Sequence, residues 1–327
     1  MIRATQLFLR AFVTGVVGAC AVTAQAQDPA SYPNKPVKII VPFAPGGGSD
    51  FMGRLLAKQL SEKLGQPFIV ENKPGAGGNL GAEIAVKSPP DGYTLMLTAA
   101  SYTVNPYVYK VPFDSLKDIT PIAQLARGPF IIAVNPKVTA NSLKELVDLA
   151  KKQPGKLSYA SAGSGSITHI ASEYFMDVAG IDVVHVPYKG TSPALTDTIA
   201  GNTQIVFGTV ASTIPHVKGG KLRALAVSTP KRLAALPDVP TAMELGYKDY
   251  QVTNWHGLIG PKGMSPDIVA KLNKAVNETM GAKSMEANLE SDGLTASPGS
   301  AADFGAQLAS ESARWGAIVK KRNIKAD

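Results

Sequence analysis

Val37-Lys38-Ile39-Ile40-Val41 runs directly into Pro42-Phe43-Ala44-Pro45-Gly46-Gly47-Gly48-Ser49-Asp50, and a helical pattern follows. The first five residues are β-branched except for Lys38 and read as a buried strand. From Asp50 to Leu64, Phe51, Met52, Leu55, Leu56, Leu60 and Leu64 fall along one helix face, with Ser49 the expected N-cap and Gly65 the stop. A strand, a glycine turn and a helix in that order form one unit of an α/β fold. The turn leaves backbone N–H groups at the positive end of the helix, where an anion is favoured. Lys156-Leu157-Ser158-Tyr159-Ala160 repeats the pattern, entering Ser161-Ala162-Gly163-Ser164-Gly165-Ser166. One such junction in each half of the chain implies two lobes gripping one acidic ligand.

Extended runs and helical patterns alternate from Val37 onward, which predicts parallel sheets with right-handed crossovers. Phe68–Glu71 and Tyr93–Thr98 read as strands two and three, and Gly75–Gly78 sits in another strand-to-helix turn. Ile122–Leu125 and Phe130–Val134 read as one extended passage broken by Arg127-Gly128-Pro129. A helix over Ser142–Lys152 opens a second series with strands at Leu157–Ala160, Val183–Val186, Gln204–Phe207 and Arg223–Val227. Ser166 caps a helix over Ile167–Val178 that ends before Gly180, and Ser192-Pro193 opens a helix closed by Gly201. Asn254–Gly260 is a second extended passage, followed by helices over Pro266–Met280 and Asp303–Lys320. The expected fold is therefore α/β and bilobed, with two doubly wound sheets joined by a hinge. Lobe 1 takes residues 27–126 and 253–327, and lobe 2 takes 127–252 as an insertion.

The 327 residues are ample for two lobes, and 45% hydrophobic with 18% charged residues reads as globular. Arg3 and Arg10 flank an uncharged run, Ala11–Val22, and Ala24-Gln25-Ala26 supplies a small-x-small cleavage pattern. This predicts a secretory signal peptide over 1–26 and a periplasmic mature protein. The competing reading is lipoprotein processing before Cys20, within Val17-Gly18-Ala19-Cys20. A retained anchor would need about 20 apolar residues, and the run is shorter. Cys20 is the only cysteine, so a chain cut after Ala26 has no disulfide, zinc–thiolate site or thiol nucleophile. The formal charge of +8 falls to +6 without Arg3 and Arg10, and apart from Lys320-Lys321-Arg322 the basic residues are scattered. That pattern excludes a nucleic-acid stripe and fits attraction for anionic solutes.

Candidate ligand contacts follow from the turns: Phe43, Ala44, Gly46, Gly47, Gly48 and Ser49 in the first, Gly77 and Gly78 in the second. In the second series they are Ala162, Gly163, Ser164, Gly165 and Ser166, with the N–H groups of Gly165 and Ser166 as donors. His169 either bonds the ligand or braces the loop, and bracing is favoured. Tyr188 and Lys189 form a wall, though Lys189 reads equally as a solvated lysine; Tyr102 reads equally as a stacking or an ordinary core residue. Gly208 completes the set. Enzyme readings fail. Ala162-Gly163-Ser164-Gly165-Ser166 lacks the flanking glycines of a nucleophile elbow, and His169, His185, His216 and His256 are too dispersed for a zinc site. No phosphate-loop signature occurs, and Gly75, Gly77 and Gly81 give only a loose dinucleotide pattern.

Pro42–Asp50 resembles the first-strand signature of the Bug family, the solute-receptor component of tripartite tricarboxylate transporters. Glu71–Asn79 looks like that family's second loop. Asp91–Leu95, Ser161–His169, His185–Gly190, Leu222–Ser228 and Leu236–Thr241 continue the likeness in order. The resemblance implies a type II periplasmic binding-protein fold whose cleft takes di- or tricarboxylic acids, acidic amino acids or aromatic acids. It also implies that one carboxylate is held by Phe43–Ser49 and Ala162–Ser166 with ordered waters. One departure stands out: Phe207 is followed by Gly208-Thr209 where the family often carries an aspartate, which disfavours an amino-acid ligand. The expected protein is therefore a monomeric, cofactor-free receptor that closes through hinges near Arg127–Pro129 and Asn254–Gly257 and delivers an organic acid to membrane permease subunits. Presentation of the solute to a membrane sensor is the alternative, and an exported hydrolase a third.

Overall fold

A computed structural model describes residues 31–45, 48–291 and 293–325. The expected signal peptide, Cys20, and the candidate contacts Gly46 and Gly47 lie outside the described residues.

In chain order the elements are β1 (Val37–Val41), α1 (Gly48–Leu64), β2 (Phe68–Asn72), α2 (Asn79–Val86), β3 (Thr94–Ala99), α3 (Asn105–Val108) and the long β4 (Ile119–Val134). Then come α4 (Leu143–Lys152), β5 (Ser158–Ser161), α5 (Ile167–Ala179), β6 (Val184–Pro187), α6 (Thr191–Ala200), β7 (Ile205–Thr209), α7 (Val210–Lys218) and β8 (Arg223–Val227). The chain ends with β9 (Thr253–Pro261), α8 (Pro266–Met280), α9 (Lys283–Ser291), β10 (Thr295–Ala296) and α10 (Ala301–Lys321).

Strands hydrogen-bond in the order β2-β1-β3-β9-β4-β7-β5-β6, with β8 and β10 also on β4. β1 is parallel to β2 and β3, and β5 is parallel to β6 and β7. These two parallel groups are the halves that the strand–turn–helix pattern predicts. Between them β4 and β9 run antiparallel, from Ile119 opposite Pro261 to Pro129 opposite Thr253. The sixteen residues of β4 span roughly 50 Å at about 3.3 Å each, long enough to serve both halves.

The expected break at Arg127-Gly128-Pro129 does not occur. Arg127 pairs with Trp255, Gly128 with Asn254 and Pro129 with Thr253, so a tertiary ladder carries the strand through a local breaker. A glycine is required there, because a Cβ on Gly128 would lie 2.3 Å from the Gly293 carbonyl oxygen. Register shifts between Pro121 and Ala123 and between Gln124 and Ala126 bend β4 where it leaves the first half.

Val37, Ile39 and Val41 of β1 point to one face, where Met52, Leu56 and Leu60 of α1 and Leu272 and Val276 of α8 bury them. Ile40 points to the other, against Ala82 and Ala85 of α2, Trp255 and Phe304. In the second half, Ile132 and Val134 of β4, Phe175 of α5 and Phe207 of β7 form a core with Tyr250. α10 reaches both. Its Phe304 and Leu308 pack beside Trp255, whereas Trp315, Ile318 and Val319 join the core of the second half. Among the described residues no helix is long and apolar enough to cross a membrane.

Candidate functional site

The C-terminal ends of β1 and β3 meet the turns that follow them. β1 ends in Pro42-Phe43, and α1 begins at Gly48, one residue before the expected cap. Ser49 is thus inside the first helical turn, and its hydroxyl lies 3.2 Å from His256 Nε2 on β9. His256 is buried, and burial alone lowers its pKa to about 4, so the ring is neutral at pH 7.

The first-turn residue Asp50 organises the loop. Asn72 Nδ2 donates both to the Phe43 carbonyl (3.0 Å) and to Asp50 Oδ1 (2.9 Å). Arg54 Nε donates to Asp50 Oδ2 at 3.0 Å, and Arg54 Nη2 reaches Asn72 Oδ1 at 3.2 Å. The buried carboxylate is therefore neutralised by an arginine one turn later instead of opposing an anion at the helix end. Nothing lies within 4 Å of the Cβ that a substitution would add at Gly48, so this edge of the turn faces open space.

Gly77 and Gly78 adopt φ of 66° and 100°, positions that favour glycine. Asn105 clamps this turn by donating Nδ2 to the Gly77 carbonyl (2.8 Å) and to Asn79 Oδ1 (3.2 Å). A cavity of about 10 Å³ opens beside the turn, lined among others by Phe43, Gly78, Thr98 and Tyr102. Asn79 Nδ2, Thr98 Oγ1, Asn105 Oδ1 and His256 Nδ1 are buried without a hydrogen-bond partner among the described residues. Of these, Thr98 and Asn105 belong to residues that line the cavity, whereas Asn79 and His256 do not. Tyr102 is 3% exposed, and its hydroxyl donates to the Ser115 carbonyl at 2.9 Å. It is a core residue with one edge on this cavity, not a free stacking platform.

The second glycine turn is held from within. Ala162 N donates to Thr168 Oγ1 (2.9 Å), Gly163 N to Ser161 Oγ (3.1 Å), Gly165 N to His169 Nδ1 (3.1 Å) and Ser166 N to the Gly163 carbonyl (3.0 Å). The N–H groups of Gly165 and Ser166 are thus engaged inside the loop, contrary to the expectation that they face a ligand. Ser166 caps α5 as expected, its Oγ accepting from His169 N at 3.2 Å. His169 braces the loop. Its ring stacks on His185 at 3.7 Å and 15°, and His185 Nε2 shares a 2.6 Å hydrogen bond with Ser161 Oγ. Burial first, and His185 second, lower the His169 pKa to about 3, which keeps Nδ1 available as an acceptor.

Beneath the stack, Tyr159 packs on His185 and donates to Glu173 Oε1 at 2.6 Å, while Arg322 Nε donates to Glu173 Oε2 at 2.5 Å. Burial and the adjacent Glu173 both push the Tyr159 hydroxyl pKa up. Tyr188 and Lys189 follow β6; the Tyr188 hydroxyl is tied to Asp197, and Lys189 is exposed. Gly208 lies buried in β7 under α7, where an added Cβ would fall 2.0 Å from Thr213 Oγ1. It packs against a helix and presents no free face.

Two of the three glycine turns meet at a residue absent from the sequence-derived set. A Cβ on Gly77 would lie 3.0 Å from Tyr109 Cε2, and one on Gly165 would lie 3.4 Å from the same atom. The Tyr109 hydroxyl donates to the Ser164 carbonyl at 3.3 Å. The turn of the first half and that of the second therefore face each other across one aromatic ring. Asn105 and Glu173 were equally invisible from sequence, since each acts on a partner distant along the chain.

This arrangement defines a binding protein of two α/β halves joined by long crossing strands, with glycine turns opposed between them. The chain belongs to the tripartite tricarboxylate transporter family receptors, TctC, whose family model matches residues 52–324. It is 34% identical over 319 residues to the BugT protein of Bordetella pertussis, covering 95% of this chain and 97% of that one. An R. palustris protein solved with adipate superposes with a TM-score of 0.80 at 32% identity, covering 90% of this chain and 99% of that one. MatC from Rhodopseudomonas palustris, solved with bound malate, gives 0.76 at 30% identity, covering 88% and 100%. The fold is the bilobed periplasmic binding-protein fold of that family.

Proposed function

We propose that this chain is a periplasmic receptor that captures a small carboxylate between its two halves and delivers it to the permease subunits of a tripartite tricarboxylate-type transporter. The observation that carries the reading is the meeting of the Gly77 and Gly165 turns around Tyr109, in a fold whose relatives were solved with adipate and malate. We take the division between lobes to fall within β4 and β9, with residues 27–126 and 253–327 in one lobe and 127–252 in the other. α10 braces both, as Phe304 and Trp315 pack in different cores. Phe43, Ala44, Gly46 to Ser49, Gly77 and Gly78 form the ligand wall of the first lobe, and Ala162 to Ser166, Tyr188 and Lys189 that of the second. His169, Tyr102 and Gly208 support those walls from behind. The protein binds and releases its solute without chemistry and needs no cofactor.

The test is a thermal-shift series with mono-, di-, tricarboxylic and aromatic acids on the mature protein. A true ligand raises the melting temperature as its concentration rises above Kd, by about 2.7 kcal/mol of stability at a hundredfold excess. Gly48→Leu introduces a side chain where the fold leaves open space. It should abolish the shift while the ligand-free melt is unchanged. A full shift in that variant refutes the first wall, and no shift with any acid refutes the carboxylate reading.

A further inference from the structure

We propose that Tyr109 is the latch of the cleft, a positioning residue whose hydroxyl holds the two halves together at their glycine turns. The inference rests on the receptor reading and deepens it by naming the contact that sets the open-to-closed ratio. Tyr109 follows α3 and is half-buried, with its backbone N–H donating to the Asn105 carbonyl at 2.8 Å. The same Asn105 clamps the Gly77 turn, which ties the tyrosine to the first half there, while Val104 and Val108 beside it pack on the core of the second half. Tyr107, two residues earlier, adds a second anchor: its hydroxyl lies 3.1 Å from Ser312 Oγ on α10.

From this mount the ring lies between the Gly77 and Gly165 turns. Its hydroxyl reaches the carbonyl of Ser164, and the neighbouring Val108 Cγ1 would lie 2.9 Å from a Cβ on Gly165. Glycine at 165, with φ of 73°, lets the second turn approach Val108 and Tyr109 this closely. The hydrogen bond is made to a backbone carbonyl, so it survives side-chain variation in the second turn. Ser164 sits in the middle of a loop that four internal amide bonds hold rigid, so its carbonyl is a fixed target. A closing motion is favoured by contacts present only in the closed form, and this contact spans the two halves by construction.

The test measures the closed fraction without any ligand. Spin labels on cysteines replacing the exposed Lys87 and Lys152, in a Cys20→Ser background, report the separation of the halves. Tyr109→Phe keeps the ring and deletes one neutral hydrogen bond, so the open-to-closed ratio should rise roughly three- to tenfold. Tyr109→Ala should raise it further, while urea unfolding midpoints stay near wild type because neither half loses core. A distance distribution identical in wild type and Tyr109→Phe overturns the latch. So does a midpoint drop in Tyr109→Phe as large as that of a core deletion, which would make the residue structural. Adipate and malate serve as probes in a parallel arm, and the latch predicts faster dissociation from Tyr109→Phe. If wild type binds neither these nor any other carboxylate yet Tyr109→Phe opens the cleft, the receptor reading falls and the latch stands. If acids bind but the distances do not change, the reverse holds.

Discussion

Replacing Glu173 should loosen the second turn from beneath, without touching it. The carboxylate is 6% exposed and accepts from Tyr159 at 2.6 Å and from Arg322 at 2.5 Å. Glu173→Ala leaves the Tyr159 hydroxyl buried without an acceptor, at a cost of about 1–3 kcal/mol. Breaking a fully buried ion pair costs about 3–5 kcal/mol. The Arg322 side chain is 24% exposed and regains some water, so only a fraction of that applies. A total near 3 kcal/mol follows, and a chain of this size should lose roughly 6 °C in melting temperature at about 2 °C per kcal/mol. Glu173→Gln keeps an acceptor for Tyr159 and removes the charge opposite Arg322, so its loss should be about half as large. Urea unfolding followed by circular dichroism measures both. In a double-mutant cycle, Tyr159→Phe removes the group that Glu173→Ala strands, and the two should couple by at least about 1 kcal/mol. An alanine variant within about 0.5 kcal/mol of wild type, or equal losses for alanine and glutamine, refutes this account.

Asp50→Ala should cost about 2–3 kcal/mol, since a buried carboxylate that accepts from Asn72 and Arg54 is lost; Asn72→Ala in that background should then add little, and an additive loss in urea unfolding contradicts the network. His169 and His256 have pKa values lowered to about 3 and about 4, so both are neutral in the fold and bind protons on unfolding. Their contribution to stability is complete above pH 6.5 and declines as pH falls towards 3–4, by up to about 1.4 kcal/mol per pH unit for each histidine. His169→Asn should flatten that slope between pH 6 and 4 in urea titrations, and an unchanged slope would show that the ring is not held neutral. Gly257→Ala would place a Cβ 2.2 Å from the buried Phe304 ring, so overpacking of about 1–3 kcal/mol should appear as a lower melting temperature. Phe304→Leu should relieve it. Thr168→Val removes the acceptor of the Ala162 amide while keeping side-chain shape, so hydrogen exchange at Ala162 should accelerate at least tenfold; unchanged protection would mean the hydroxyl does not hold the loop.

Elements with their own punctuation were legible in the sequence. The helix over Pro266–Met280 matches α8, and α5 begins and ends where Ser166 and Gly180 place it. Apolar periodicity also gave α1, although its start lies at Gly48, before the serine expected to cap it. α7 was missed because Pro215 interrupts its pattern, and the fold tolerates that proline near the last turn. β4 was broken in the reading at Gly128-Pro129, where pairing with Asn254 and Thr253 overrides local preference. The site was legible only as turns. Tyr109 carries no local signal, since its importance comes from Gly77 and Gly165, which lie 32 residues before it and 56 after it. Glu173 and Arg322 are likewise joined only by folding, across 149 positions.

In the receptor proposed above, the two walls would hold a ligand in different ways. In the second, the amides of Ala162, Gly163, Gly165 and Ser166 and the hydroxyls of Ser161 and Ser166 are already bonded within the fold, so that loop presents a fixed shape. The first half has unpaired buried polar atoms on Thr98 and Asn105 beside the Gly77 turn, and its separate Gly48 turn has an open edge. A rigid wall that has met its ordering cost in folding loses less entropy on binding than a flexible loop with more free donors. Unpaired donors and acceptors supply directional contacts that distinguish one ligand from another when a ligand reaches them. On the receptor reading proposed above, Thr98 and Asn105, which line the cavity beside the Gly77 turn, are the residues to vary for selectivity, while the histidine stack braces the Ser161–Ser166 loop.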